Sequence, residues 1–262
     1  MKKFLAILLS LASWNAVSQT PAPNLDTSTP PVPAAPQVGA ASYLLVDFNS
    51  GRVLVEHNPD MRVEPASITK LMTAYVVFHG LAEGKIRLED TVNVSEKAWR
   101  TGGSRMFIEP NMQVTVEELV RGMVIQSGND ASVALAEYLA GSEEAFAGLM
   151  NHYAELLGMR DTHFMNSTGL PDPEHYTTAR DVATLSIATI RDFPDYYAWY
   201  SEKEFTFNNI RQHNRNTLLW RDPAIDGLKT GHTESAGYCL AASAKHDGMR
   251  LVSACLLYTS DA

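Results

Sequence analysis

The stretch from Ser67 to Leu81 is apolar on most of its faces, with Leu71, Met72, Ala74, Tyr75, Val76, Val77 and Phe78 leaving no polar side wide enough to meet water. A helix of that kind has to lie in the middle of a domain, with other elements packed around it. Gly84 supplies its stop. At its start, within Pro65-Ala66-Ser67-Ile68-Thr69-Lys70, a serine and a lysine stand three positions apart. Positions i and i+3 share one face of a helix, so the Lys70 amine can reach the Ser67 hydroxyl. A nucleophile and a candidate base therefore open a buried helix.

The flanking chain reads as strands, then helices, then strands. Tyr43 to Phe48 and Arg52 to Glu56, joined through Asn49-Ser50-Gly51, form a hairpin signal expected at one edge of a sheet. Thr115 to Ala140 has helical periodicity broken at Ser127-Gly128-Asn129-Asp130, where Asp130 is the expected cap of the second half. Glu143 to Gly158 and Thr178 to Ile190 give two more amphipathic helices. Phe205 to Phe207 and Ile225 to Gly231 are strand-like, and Gly237 to Ala244 with Arg250 to Leu257 form a hairpin around His246-Asp247-Gly248. No internal repeat is present. The order predicts a mixed α/β domain in which an antiparallel sheet is assembled from both ends of the chain around a helical cluster. With 262 residues, 45% of them hydrophobic, the chain can bury such a core.

The first residues do not belong to that domain. Met1-Lys2-Lys3, the apolar run Phe4 to Trp14 and the small residues Ala16-Val17-Ser18 have the anatomy of a secretory signal peptide over 1–18, so the mature protein is expected to work outside the cytoplasm. Residues 19–39, with six prolines between Pro21 and Pro36, read as an extended spacer, and 40–262 as the domain. A net charge of -9 without any Lys/Arg block argues against a nucleic-acid partner. Cys239 and Cys255 fall on the two strands of the last hairpin, where one step of register decides whether they share a face. Two buried free thiols are the expectation. The eight histidines show no metal-binding spacing such as HExxH, so neither a metal nor another cofactor is expected.

Three short motifs follow one another: Ser67-x-x-Lys70, Ser127-Gly128-Asn129 and Lys229-Thr230-Gly231. Taken singly, each has an ordinary reading, as a helix start, a helix boundary and a strand end. Together they describe a reactive serine and its surroundings. A serine hydroxyl needs a base, and the titratable group fixed one turn away is Lys70. To act as one, Lys70 must be neutral, although a free lysine has a pKa of about 10.4. Burial and a second positive charge both lower it, and Lys229 is a candidate for that charge.

These motifs carry a resemblance to the penicillin-recognising serine acyl enzymes, and among them to the low-molecular-mass D-alanyl-D-alanine carboxypeptidases of the bacterial periplasm. The likeness extends over Gln126 to Ala131, Tyr176 to Asp181, Glu204 to Asn208, Asn214-Arg215-Asn216 and Asp226 to Thr233, covering roughly Ala40 to Ser253. It implies a five-stranded antiparallel sheet sandwiched by helices. It also implies roles: Ser67 as nucleophile, Ser127 as proton shuttle to the leaving amine, and Asn129 as a grip on the substrate backbone. Lys229 and Thr230, with Arg215, would bind the terminal carboxylate, and Gly231 would let the sheet edge approach the substrate. The backbone N–H groups of Ser67 and His232 would form the oxyanion hole, with the His232 imidazole outside the chemistry. The implied substrate is a peptidoglycan pentapeptide ending in D-Ala-D-Ala, with β-lactams as covalent inhibitors.

Related readings are a murein DD-endopeptidase, a serine β-lactamase and, from another class, a noncatalytic peptidoglycan-binding module. A lactamase needs a base for deacylation, and between Asn166 and Thr178 Glu174 is the one glutamate, read as a solvated loop residue. The family continues past its last strand with a helix, a small β-rich domain and an amphipathic helix on the inner membrane. Cys255 to Ala262 does not follow that pattern, so the expectation is a truncated or misassembled reading frame with one face of the sheet uncovered.

Overall fold

The computed structural model describes residues 38–258. The expected leader, nearly all of the proline-rich spacer and residues 259–262 lie outside the described residues.

In chain order the elements are strands β1 (Ala40–Asp47) and β2 (Val53–His57), helix α1 (Lys70–Ala82), strand β3 (Thr91–Asn93), helix α2 (Glu96–Arg100) and strand β4 (Gln113–Thr115). Helices α3 (Val116–Ile125), α4 (Asn129–Ala140), α5 (Glu143–Leu156), α6 (Ala179–Asp192) and α7 (Pro194–Tyr197) follow. Strands β5 (Glu204–Phe207), β6 (Ile210–His213), β7 (Ile225–Thr233), β8 (Gly237–His246) and β9 (Met249–Tyr258) complete the set. The main sheet is fully antiparallel in the order β2-β1-β9-β8-β7. The mixed α/β architecture and the five-stranded sheet built from both ends of the chain are therefore as expected, with the first hairpin at one edge.

Register explains which face holds the core. Leu44 lies opposite Ala254 and Val46 opposite Val252, and these four are buried, as alternation along a strand requires. Helix α6 packs on β1 and β9, and α1 lies between α6 and the group α3, α4 and α5. Its apolar circumference is used as such: Leu71, Met72, Ala74, Val77 and Phe78 are fully buried. A capping box closes the start of α3, where the Thr115 hydroxyl accepts the Glu118 N–H and the Glu118 carboxylate accepts the Thr115 N–H.

Two expectations need correction. Ser67 does not stand on an α-helix: Ala66–Thr69 is a 3-10 turn and α1 starts at Lys70. Three residues per turn eclipse positions i and i+3, so the tighter turn aligns the pair better than an α-helix would. Asp130 does not cap α4, whose N-cap is Gly128 without a side-chain bond. Its carboxylate turns away to the loop before β4, accepting the N–H groups of Met106 (2.9 Å), Phe107 (2.9 Å) and Ile108 (3.3 Å).

In the last hairpin Leu240 pairs with Cys255, so Cys239, one residue earlier, points to the other face. Both thiols are free, but only Cys239 is buried as expected, Cys255 being half-buried; burial raises the pKa of each to about 11. The three last strands are tied by one polar cluster. Arg250 donates to both oxygens of Asp226 (2.9 and 2.7 Å) and to the Ser243 hydroxyl (2.5 Å), while the Tyr197 hydroxyl donates to Asp226 (2.7 Å).

Candidate active site

The reactive corner is built where the 3-10 turn, the Ser127 loop, strand β7 and the loop 166–170 converge. Asn166 shapes that last loop: its side-chain oxygen accepts from Thr168 N (3.2 Å), Thr168 Oγ1 (2.9 Å) and Gly169 N (2.8 Å). The loop presses on the turn so closely that a Cβ on Gly169 would stand 1.8 Å from the Ala66 carbonyl oxygen. Pressed there, it aims the Thr168 carbonyl at Lys70. The Lys70 Nζ lies 2.7 Å from Thr168 O and 2.9 Å from Ser67 Oγ.

Lys70 is buried, and among the described residues no carboxylate lies within 4.0 Å of its amine. Its pKa is held well below that of an ordinary lysine, first by burial and second by Lys229, with Asp130 pulling the other way. Lys229 is buried as well, donates to its neighbour's carbonyl Thr230 O (2.8 Å), and is lowered to about 7 by burial and then by Arg215. The sequence-based coupling of the third motif to the first therefore exists, and it is secondary to burial.

Strand β7 runs directly against the turn. A Cβ on Gly231 would stand 3.0 Å from Ser67 N and 3.1 Å from the Ala66 Cβ, so a side chain at this position of the strand would press on the turn. His232, next in the strand, is exposed, and its ring packs on Tyr238 with centroids 4.3 Å apart. Ser127 follows the end of α3 in a left-handed conformation, φ +67°, and its buried hydroxyl has no hydrogen-bond partner among the described residues. Asn129 is fixed by the loop across from it, through Asn129 N to Ser104 O (2.7 Å) and Nδ2 to Gly102 O (2.6 Å), while its side-chain oxygen is unpartnered.

Ser67, Ser104, Ser127, Arg215, Thr230, Gly231 and His232 line a cleft of about 710 Å³, together with residues including Tyr238, Leu240 and Tyr258. Lys70, Lys229 and Asn129 are buried and are not among its lining residues. The structure thus brings the sequence-predicted residues together. Glu174 is exposed and does not line the cleft. Among the described residues no group of three His, Cys, Asp or Glu side chains could hold a metal ion.

Three contributors were missed in the sequence: the Thr168 carbonyl, Gly169 and Ser104. Asn166-Ser167-Thr168-Gly169 does carry a turn signal. Nothing in it points to a lysine 98 positions away. A buried histidine joins them, His175, which meets the Thr69 hydroxyl at 2.9 Å and is lowered to about 4 by burial.

A buried amine against a serine hydroxyl, with unpartnered polar atoms and cations at hand, is equipped for acyl transfer to the serine from a carboxylate-bearing substrate. The profile of the S11 peptidases, described as D-alanyl-D-alanine carboxypeptidase, matches residues 29–258. The chain is 51% identical over 230 residues to D-alanyl-D-alanine carboxypeptidase DacA of Escherichia coli (strain K12), covering 85% of this chain and 57% of that protein. It is 48% identical over 263 residues to DacC of the same strain, covering 98% and 66%. The crystal structure of penicillin binding protein 5 from Haemophilus influenzae superposes with a TM-score of 0.85 at 46% identity, over 87% of this chain and 68% of that one. The chain therefore spans less than two thirds of the length of these curated relatives. By this match and this geometry, the chain belongs to the D-alanyl-D-alanine carboxypeptidase family, the S11 peptidases.

Proposed function

We propose that this protein is a serine-type D-alanyl-D-alanine carboxypeptidase, which removes the terminal D-alanine from peptidoglycan pentapeptides through an acyl-enzyme on Ser67. The observation that carries the reading is the 2.9 Å contact between Ser67 Oγ and a buried Lys70 amine that has no carboxylate partner among the described residues. A neutral amine takes the hydroxyl proton as Oγ attacks the carbonyl of the D-Ala-D-Ala bond. The resulting oxyanion meets the N–H groups of Ser67 and His232. Removing one such donor typically costs about 3 kcal/mol of transition-state stabilisation.

Ser127, with its buried hydroxyl unpartnered, passes the proton to the departing D-alanine nitrogen. Asn129 holds the substrate backbone, and Lys229, Thr230 and Arg215 hold the terminal carboxylate, which makes the enzyme an exopeptidase. Water then cleaves the ester with Lys70 as base. The same serine is acylated by β-lactams. The leader-like residues 1–18 support a place of work outside the cytoplasm, where peptidoglycan lies.

Labelling with a fluorescent penicillin, followed by peptide mapping, tests the acyl-enzyme, and D-alanine release from a pentapeptide measured beside penicillin turnover tests the reaction. Label on Ser67 with D-alanine released is the expected result. Rapid drug hydrolysis without D-alanine release would instead favour a β-lactamase, and folded protein without label on Ser67 would remove the mechanism.

A further inference from the structure

Asp130 is fully buried, and among the described residues no lysine, arginine or histidine lies within 4.0 Å of it. An isolated carboxylate in such a place is strongly disfavoured unless it is hydrogen-bonded. Here four backbone N–H groups supply the bonds. One is Ala131 N (2.9 Å), and the other three, from Met106, Phe107 and Ile108, belong to a loop 22 to 24 positions earlier in the chain. That loop reaches back over the second motif: Gly102 O and Ser104 O take the two Asn129 donors, and Ser104 itself lines the cleft. The fit is tight, since a Cβ on Gly103 would stand 2.6 Å from Asn129 Nδ2.

We propose that Asp130 is a positioning residue for acylation: its carboxylate oxygens, accepting three loop N–H groups, clamp the loop 102–108 onto α4, and the clamped loop fixes Asn129 and Ser104 against the cleft. The proposal rests on the acyl-enzyme reading above. Met106 gives the loop an apolar anchor against Gly122, but a buried methionine sets no register for the polar atoms at the loop's other end. The carboxylate does so, because three consecutive N–H groups converge on it. It also adds an electrostatic role: the charged groups acting on Lys70 are Lys229 from β7, which disfavours the lysine's proton, and Asp130 from α4, which favours it.

The test measures the rate of Ser67 labelling by a fluorescent penicillin as a function of pH, on the full chain, for the wild type and Asp130→Asn. The amide keeps the shape but loses the charge and turns an N–H pair toward N–H donors. Labelling should slow by on the order of a hundredfold, the scale of a small misplacement of site groups. The acid limb of the profile should also move to lower pH. A second variant, Gly103→Ala, disturbs the same loop from the other end with the charge intact. It should slow labelling about tenfold or more, leave the acid limb in place, and decide the loop's role if Asp130→Asn does not fold. Wild-type labelling rates in either folded variant, or a slow Asp130→Asn whose acid limb has not moved, would overturn the proposal. A wild-type chain that takes no label would overturn the acyl-enzyme reading together with it.

Discussion

Lys70 concentrates the physical question at the scale of the residue, because a buried amine can be a base only if it gives up its proton. An ammonium has three N–H groups to satisfy. Two acceptors are within reach, Ser67 Oγ and Thr168 O, while burial and Lys229 act against the charge. A neutral amine fits better: it donates to Thr168 O and accepts the Ser67 hydroxyl proton. Replacing Lys70 with alanine is therefore expected to slow penicillin labelling by about 10² to 10⁴, the range of general-base effects. Titration adds a second expectation. D-alanine release should weaken as pH rises above about 7, where Lys229 loses the charge proposed to hold the substrate carboxylate. A kcat/KM profile still climbing at pH 9 would contradict that role for Lys229.

Elements here are held by close approaches that admit no side chain. The loop 166–170 lies on the 3-10 turn through Gly169, at φ +84°, where a Cβ would meet the Ala66 carbonyl at 1.8 Å. Gly84, after α1, has a similar φ of +69° and open space around it. An alanine at Gly84 should cost roughly 1 kcal/mol from backbone strain alone. The same change at Gly169 should cost at least about 2 kcal/mol more, since backbone has to move. It should also slow labelling, because the displaced Thr168 carbonyl no longer orients Lys70. Thermal melts of the two variants, compared with their labelling rates, check both halves. Equal melts would mean that the loop yields without strain.

For the whole molecule, buried cations link the site to stability. Lys229 has a folded pKa of about 7 against an ordinary 10.5, so between those values the unfolded chain binds more protons than the folded one. The contribution is fully present above 10.5 and is lost as pH falls through about 7. Relative to Lys229→Met, the wild type should therefore gain stability with rising pH across that window, by up to roughly 1.4 kcal/mol per unit. Denaturant unfolding of both proteins at several pH values measures it. A constant difference between them would show that burial does not hold the lysine neutral. Such a cost at the centre of a well-packed core is tolerable because it is offset by apolar burial along α1, α3 and α4.

The amino-acid sequence by itself determined the buried helix, because its apolar residues cover most of the circumference of α1, and the strand and helix order, because periodicity is local. It also determined the three motifs, whose residue types already offer a serine and a candidate base. Tertiary structure alone decided what the backbone contributes. The Thr168 carbonyl, the glycine approaches at 169 and 231 and the bonds from Asp130 to a distant loop all join segments far apart in the chain. In each of these contacts at least one partner is a main-chain group, which carries no signature of residue type. No residue type marks them in advance, and only the packing that fixes a loop's path can aim them.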